Sequence, residues 1–216
     1  MTSQSISTRP PRTGEAIRIL DEAERQILTL PTGKLRVVDV AAALEMSPAN
    51  VYRFFKNRDD LLDGLVDRWL KDGEARALAA IEMHNAFGDQ LKHVLQSLHV
   101  QTRAKIASAP GVIDIYLRAL NKRTEAVERH RTFLIGICAD ILARGINDGE
   151  FAIKTGQIAP ALILIESATR KFTHPLLISE SLSEDTPAEA ERVLSFFVEA
   201  LRSAPQLFSA SERQVT

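Results

Sequence analysis

Asn50 and Arg53 lie three residues apart, about one helical turn, in the run Ser47-Pro48-Ala49-Asn50-Val51-Tyr52-Arg53-Phe54-Phe55. Each carries paired hydrogen-bonding groups: the Asn50 amide matches an adenine edge, the Arg53 guanidinium a guanine edge, and the Ala49 methyl can lie against a thymine methyl. Tyr52, Lys56 and Arg58 suit phosphate oxygens, contacts that fix register without reading bases. Such chemistry needs a rigid helix that presents one face. Ser47 can accept from a free N–H of the first turn, and Pro48 suits the first helical position because the N–H it lacks would have had no partner. Val51, Phe54 and Phe55 then point inward, leaving Pro48, Ala49, Asn50, Tyr52 and Arg53 outward.

The preceding element must hold that helix in place. Val37, Val40, Ala41 and Leu44 recur at the spacing that lays one apolar stripe along a helix. Glu45, Met46 and Ser47 separate it from the next, so the pair reads as a helix-turn-helix whose second member enters a major groove. An ordinary helical hairpin with a solvated outer face is the plain alternative. Residues 1–70 balance ten Lys and Arg against ten Asp and Glu, so no basic signature covers the whole segment. Lys34, Arg36, Arg53, Lys56 and Arg58 nevertheless gather near the proposed face against only Asp39 and Glu45. Asp59, Asp60, Asp63 and Asp67 follow, placing carboxylates at the positive end of the next helix, with Asn57 and Asp60 as its cap.

The 216 residues, 45% hydrophobic and 25% charged with net charge −1, describe an ordinary soluble globular chain, expected in the cytoplasm. No apolar run approaches the roughly 20 residues that span a bilayer. Residues 1–12 lack a secretory core and read as a disordered polar arm carrying Arg9 and Arg12. Cys138 is the only cysteine, which excludes disulfides and cysteine-based zinc sites within one chain. His84, His93, His99, His130 and His174 form no pair at ligand spacing, so no metal site is expected. No phosphate-cradling glycine loop or nucleophile elbow occurs, and neither a catalytic residue nor a cofactor is expected.

Helical periodicity dominates, and the fold class reads as all-α with about nine helices. The first spans about 13–30 with Ala16, Leu20, Ala23, Ile27 and Leu30 on one face. The fourth, about 58–80, carries Leu61, Leu62, Leu65, Val66 and Trp69. A seventh, about 124–147, closes at Asp148-Gly149. The last starts at Thr186-Pro187-Ala188-Glu189, which combines a capping box with an early proline. The last two helices, about 157–173 and 187–203, are too apolar for a solvent-covered pair. They either pack centrally or meet a twin across a two-fold axis; one recognition helix touches only a few base pairs, which favours a homodimer on a palindrome.

With one opening helix, this motif and about 150 further helical residues, the chain resembles TetR-family transcriptional regulators over roughly residues 13–70. Asp39, Val40 and Ala41 match the family's Asp-aliphatic-Ala element, Ser47 its serine, Val51 and Tyr52 its Leu-Tyr pair, and Phe55 its phenylalanine, with Asn57, Arg58 and Asp59 at the cap. Glu45 stands where glycine is usual, Arg36 where a threonine or serine is usual, and residues 30–35 differ from the family's entry to the motif. The resemblance implies a DNA-binding domain over 13–70 and a helical ligand-binding and dimerisation domain over 71–216. It also implies a repressor, bound to double-stranded DNA as a homodimer and released by a small-molecule effector. The DNA contacts then fall to Arg36, Ser47, Pro48, Ala49, Asn50, Tyr52, Arg53, Lys56 and Arg58. Tyr116, Phe133, Cys138, Glu166 and Phe172 are the candidates to line a pocket among the fifth to eighth helices. The alternative is a helical enzyme or protein-interaction module whose hairpin only imitates a recognition unit.

Overall fold

Ser47 starts a helix as its neighbours predict: its side chain accepts from the Asn50 N–H at 3.3 Å and Pro48 follows at the first position. In the computed structural model the described residues are 14–29, 35–109 and 111–208. They form α1 (Gly14–Thr29), α2 (Val37–Ala43), α3 (Pro48–Tyr52), α4 (Arg58–Glu82) and α5 (Phe87–Ser108). Then come α6 (Gly111–Lys122), α7 (Glu125–Asn147), α8 (Ile158–Thr173), α9 (Pro175–Glu180) and α10 (Thr186–Ser203). No strand occurs among the described residues, and no helix there is long and apolar enough to cross a membrane. The arm of residues 1–12, the segment 30–33 and Lys34 of the basic cluster lie outside the described residues.

Among the described residues ten α-helices stand where about nine helices are expected. The addition is α9, a short turn started by Pro175 between the two long apolar helices. The start of α10 also differs from the sequence reading. Its cap is Asp185, whose carboxylate accepts from the Ala188 N–H, and not Thr186. The Thr186 side chain is turned into the core, where its hydroxyl meets the buried His99 ring at 2.9 Å and the Arg103 guanidinium at 3.2 Å.

Two apolar cores organise the chain. In the first, Ile19, Leu20, Ala23 and Ile27 of α1 meet Val40 and Ala41 of α2, Val51 and Phe55 around α3, and Leu61, Leu65 and Trp69 of α4. Val112, Ile115 and Tyr116 of α6 join the same cluster. The second gathers Leu91 and Val94 of α5, Cys138, Ile141 and Leu142 of α7, Ile165 of α8, and Leu194, Phe197 and Leu201 of α10. Helix α4 runs unbroken from the first core to the second, where Ala77 is buried. Burial pushes the Cys138 thiol up to about 12, so it stays protonated packing material.

Helices α2 and α7 end in the same way. The Gly149 N–H reaches the Ile146 carbonyl and the Glu150 N–H the Gly145 carbonyl, with Gly149 at φ 81°; this is a Schellman ending. At α2 the Glu45 N–H reaches Ala42 and the Met46 N–H reaches Ala41, but the left-handed residue is Glu45 at φ 54°. The missing glycine in the turn is therefore a real strain at the entrance to the recognition helix. Glu45→Gly should stabilise the protein by about 1 kcal/mol, measured by chemical denaturation. An unchanged or lower stability would show that Glu45 adopts this conformation without penalty.

His99 ties α5 to the second half of the chain. Its Nδ1–H donates to the Phe172 carbonyl at 2.9 Å, which leaves Nε2 to accept from the Thr186 hydroxyl. Burial, the largest influence, lowers its pKa from 6.5; the Phe172 carbonyl opposes that and the Arg103 charge adds to it. Below pH 6.5 the unfolded chain therefore takes up a proton more readily than the folded one, and stability falls as the pH is lowered. His99→Gln should flatten that acid limb in denaturation curves taken across pH. Parallel curves for the two proteins would refute the assignment.

Candidate functional site

The head presents its predicted face. Pro48, Ala49, Asn50, Tyr52 and Arg53 are exposed on α3 and its C-terminal turn, while Val51 and Phe55 are buried and Phe54 is half-buried. Lys56 follows on the same exposed segment. Ser47 is exposed too, but its hydroxyl serves the helix cap. Arg36 flanks α2, exposed, 3.8 Å from Asp39. Arg58 is engaged within the head: its Nε–H donates to the Leu35 carbonyl at 2.7 Å, which ties the start of α4 to the entry of α2. That bond gives Arg58 a packing role beside any phosphate contact.

The Asn57–Asp60 cap read from the sequence is present, and the acidic run after Arg58 has further partners that the sequence did not reveal. Asp60 accepts from the Lys56 N–H while the Asn57 side chain caps Asp60 in return. Asp59 and Asp63 pair with Lys122 and Arg118 of α6, and Asp67 pairs with Arg129 of α7. These bridges fasten the head to the helices behind it.

Behind the head lies a partly open cavity of about 110 Å³ between α4, α5, α6 and α7, with Thr173 and Pro175 at the junction of α8 and α9 also in its wall. Val66, Leu70, Leu98, Leu120, Val127 and Leu134 make most of its wall, and Gln101, Thr102 and His130 bring the polar atoms. Burial, outweighing the pull of Glu74 at 2.9 Å, lowers the His130 pKa. Trp69 and Tyr116 stand side by side in the wall, ring centroids 5.3 Å apart. Burial raises the Tyr116 phenol far above its ordinary value, with the charges of Glu24 and Asp72 adding to the effect.

Of the five pocket candidates, Tyr116 alone lines this cavity. Cys138 lies in the second core, and Phe172 packs its ring edge on His99. Glu166 is exposed on α8, and Phe133, half-buried on α7, is not in the wall. The residues missed had a signal: Gln101, Thr102 and His130 interrupt otherwise apolar helix faces, and Gly73 sits in a helix interior where glycine is unfavourable.

Trp69 belongs to both regions. It is 2% exposed, and its indole N–H donates to Glu24 Oε1 of α1 at 2.7 Å. The same oxygen receives Lys105 Nζ of α5 at 2.7 Å, and Glu24 Oε2 lies 3.0 Å from Arg68. Lys105 also sits 4.9 Å from the centre of the indole. One carboxylate thus joins the first helix of the head to two walls of the cavity. Burial works against its charge, but Lys105, the indole N–H and Arg68 outweigh it and hold the carboxyl below its ordinary range.

Residues 88–194 match the family model of the tetracyclin repressor-like C-terminal domain. No curated protein matches the sequence. Among solved structures, a transcriptional regulator from Cytophaga hutchinsonii superposes with a TM-score of 0.66 at 16% identity, over 88% of this chain and 100% of that one. A TetR-family regulator from Marinobacter aquaeolei gives 0.56 at 16% identity, over 87% and 95%. The regulator FadR from Bacillus subtilis, in complex with stearoyl-CoA, gives 0.56 at 17% identity, over 87% and 97%. These likenesses carry the fold, and the family model reaches the half of the chain that the helix-turn-helix does not. Head and body agree, and the chain belongs to the TetR family of transcriptional regulators.

Proposed function

We propose that the protein is a repressor that binds a palindromic operator as a homodimer and leaves it when a small molecule enters the cavity behind the head. Residues 13–70 form the DNA-binding unit and 71–216 the sensing and dimerising unit, with the arm of residues 1–12 preceding them, in a protein of the cytoplasm that catalyses nothing. Asn50 and Arg53 read bases, Ala49 meets a thymine methyl, and Tyr52, Lys56 and Arg36 hold phosphates. The partner is a second copy of this chain. Supporting that choice, Ile163 and Leu164 of α8 and Phe196 of α10 are exposed, at 65%, 41% and 74%, on neighbouring helices that otherwise pack into the second core. Apolar groups exposed on this helix pair suit burial against a second copy.

The observation that carries the regulatory reading is Trp69, which lines the cavity and hydrogen-bonds to α1 through Glu24. A ligand that prefers one placement of the indole biases the placement of the head, and so releases DNA by its differential affinity for the two states. Binding to genomic fragments at two salt concentrations tests the function. One fragment should stay bound at the higher salt while bulk DNA dissociates, and Phe196→Glu should sediment as a monomer with weakened operator binding. Equal binding to all fragments, or an unaltered dimer in Phe196→Glu, would refute the corresponding half of the proposal.

A further inference from the structure

The cavity wall has a definite chemical character. The fourteen described residues that line it include no arginine, lysine, aspartate or glutamate. The cations just behind it are engaged: Lys105 with Glu24, and Arg129 with Asp67 and with Glu74, which also holds His130. Both titratable groups in the wall are held in their neutral forms by burial, Tyr116 with a raised pKa and His130 with a lowered one. A carboxylate placed here would lose part of its hydration, meet no cation among the described lining residues and feel the negative charges of Glu24 and Asp72 that already act on Tyr116. An ion that gives up hydration without gaining a partner binds more weakly than its neutral isostere. An ammonium would fare no better, because no carboxylate faces the space.

Gln101 and Thr102 lie next to each other on α5, with Thr173 also in the wall, so hydrogen-bonding groups are available to an otherwise apolar guest. The volume of about 110 Å³ is somewhat below the roughly 150 Å³ of an apolar cavity that takes up benzene, so with its open side the site has room for about one ring. From wall chemistry and size together, we propose that the effector is an uncharged, largely apolar molecule of about one ring with a hydrogen-bonding substituent, which docks against Trp69 and Tyr116. This rests on the reading of the cavity as the effector site.

Trp69 is the only tryptophan in the chain and stands in the wall, so its fluorescence reports on occupancy. The probes are benzyl alcohol, benzoate and benzylammonium, nearly equal in shape and different in charge, titrated into the full-length protein. Benzyl alcohol should change the emission saturably, and each ion should need at least about tenfold more. Gly73→Leu should abolish the response, because a Cβ there already lies 3.2 Å from Gln101 Oε1 and Leu98 Cδ2, and a longer side chain enters the space. Thr102→Leu serves as a second occluding variant should the first fail to fold. Benzoate or benzylammonium binding as well as the alcohol, with the signal lost in an occluded variant, would overturn the ligand class and leave the cavity as the effector site. No response to any probe would overturn both.

Discussion

Arg53→Ala should weaken binding to the selected operator by about 1 to 3 kcal/mol, roughly 5- to 150-fold, and leave affinity for random DNA nearly unchanged. Arg53 is exposed at the end of α3 and belongs to neither core, so its loss removes a base contact without unfolding the head. Asn50→Ala should behave in the same way. Lys56→Ala should instead weaken all sequences alike and reduce the salt dependence, because a phosphate contact carries charge and no base information. Dissociation constants on operator and random duplexes check the contrast. An equal loss on both for Arg53→Ala would make it a phosphate ligand.

Glu24→Ala should cost about 1 to 3 kcal/mol of stability by leaving the buried Trp69 N–H without its acceptor and Lys105 without its carboxylate. Because the folded carboxyl titrates below its ordinary value of 4.5, this contribution is present above that pH and is lost as the pH falls through the folded value. The gap between wild type and variant should therefore be full at neutral pH and close in acid. Glu24→Gln keeps an acceptor for the indole but gives up the charge, and should fall between the two. If the bond couples cavity to head, Glu24→Ala should also blunt the change in DNA affinity that a cavity ligand produces. Wild-type stability in Glu24→Ala, measured by denaturation, would remove this carboxylate from the account.

Local rules made the head legible. The apolar spacing of Val37, Val40 and Ala41, the Ser47-Pro48 cap, and the inward Val51 and Phe55 each depend on residues within one or two turns, and the structure has them as read. The strain at Glu45 was equally local. Long-range pairing was not legible: nothing near Asp59, Asp63 and Asp67 says that Arg118, Lys122 and Arg129 will neutralise them, or that Glu24 will meet Trp69. Four of the five pocket candidates lie outside the cavity wall for a related reason. Phe172 and Cys138 are large or polarizable residues on apolar faces, and such residues fill cores by default. Polar interruptions of those faces, at Gln101, Thr102 and His130, were the better guide. Thr186 shows the limit of motif reading, since its hydroxyl fits a cap but His99 and Arg103 claim it.

The central claim is that α3 reads a two-fold DNA sequence as part of a dimer. Its most direct test is capture of genomic DNA by the full-length protein, followed by sequencing of the retained fragments. The account predicts one enriched inverted repeat, its half-sites about one or more helical turns apart, with the enrichment lost in Arg53→Ala. Retained fragments without a common sequence, or an enrichment that survives in Arg53→Ala, would contradict it.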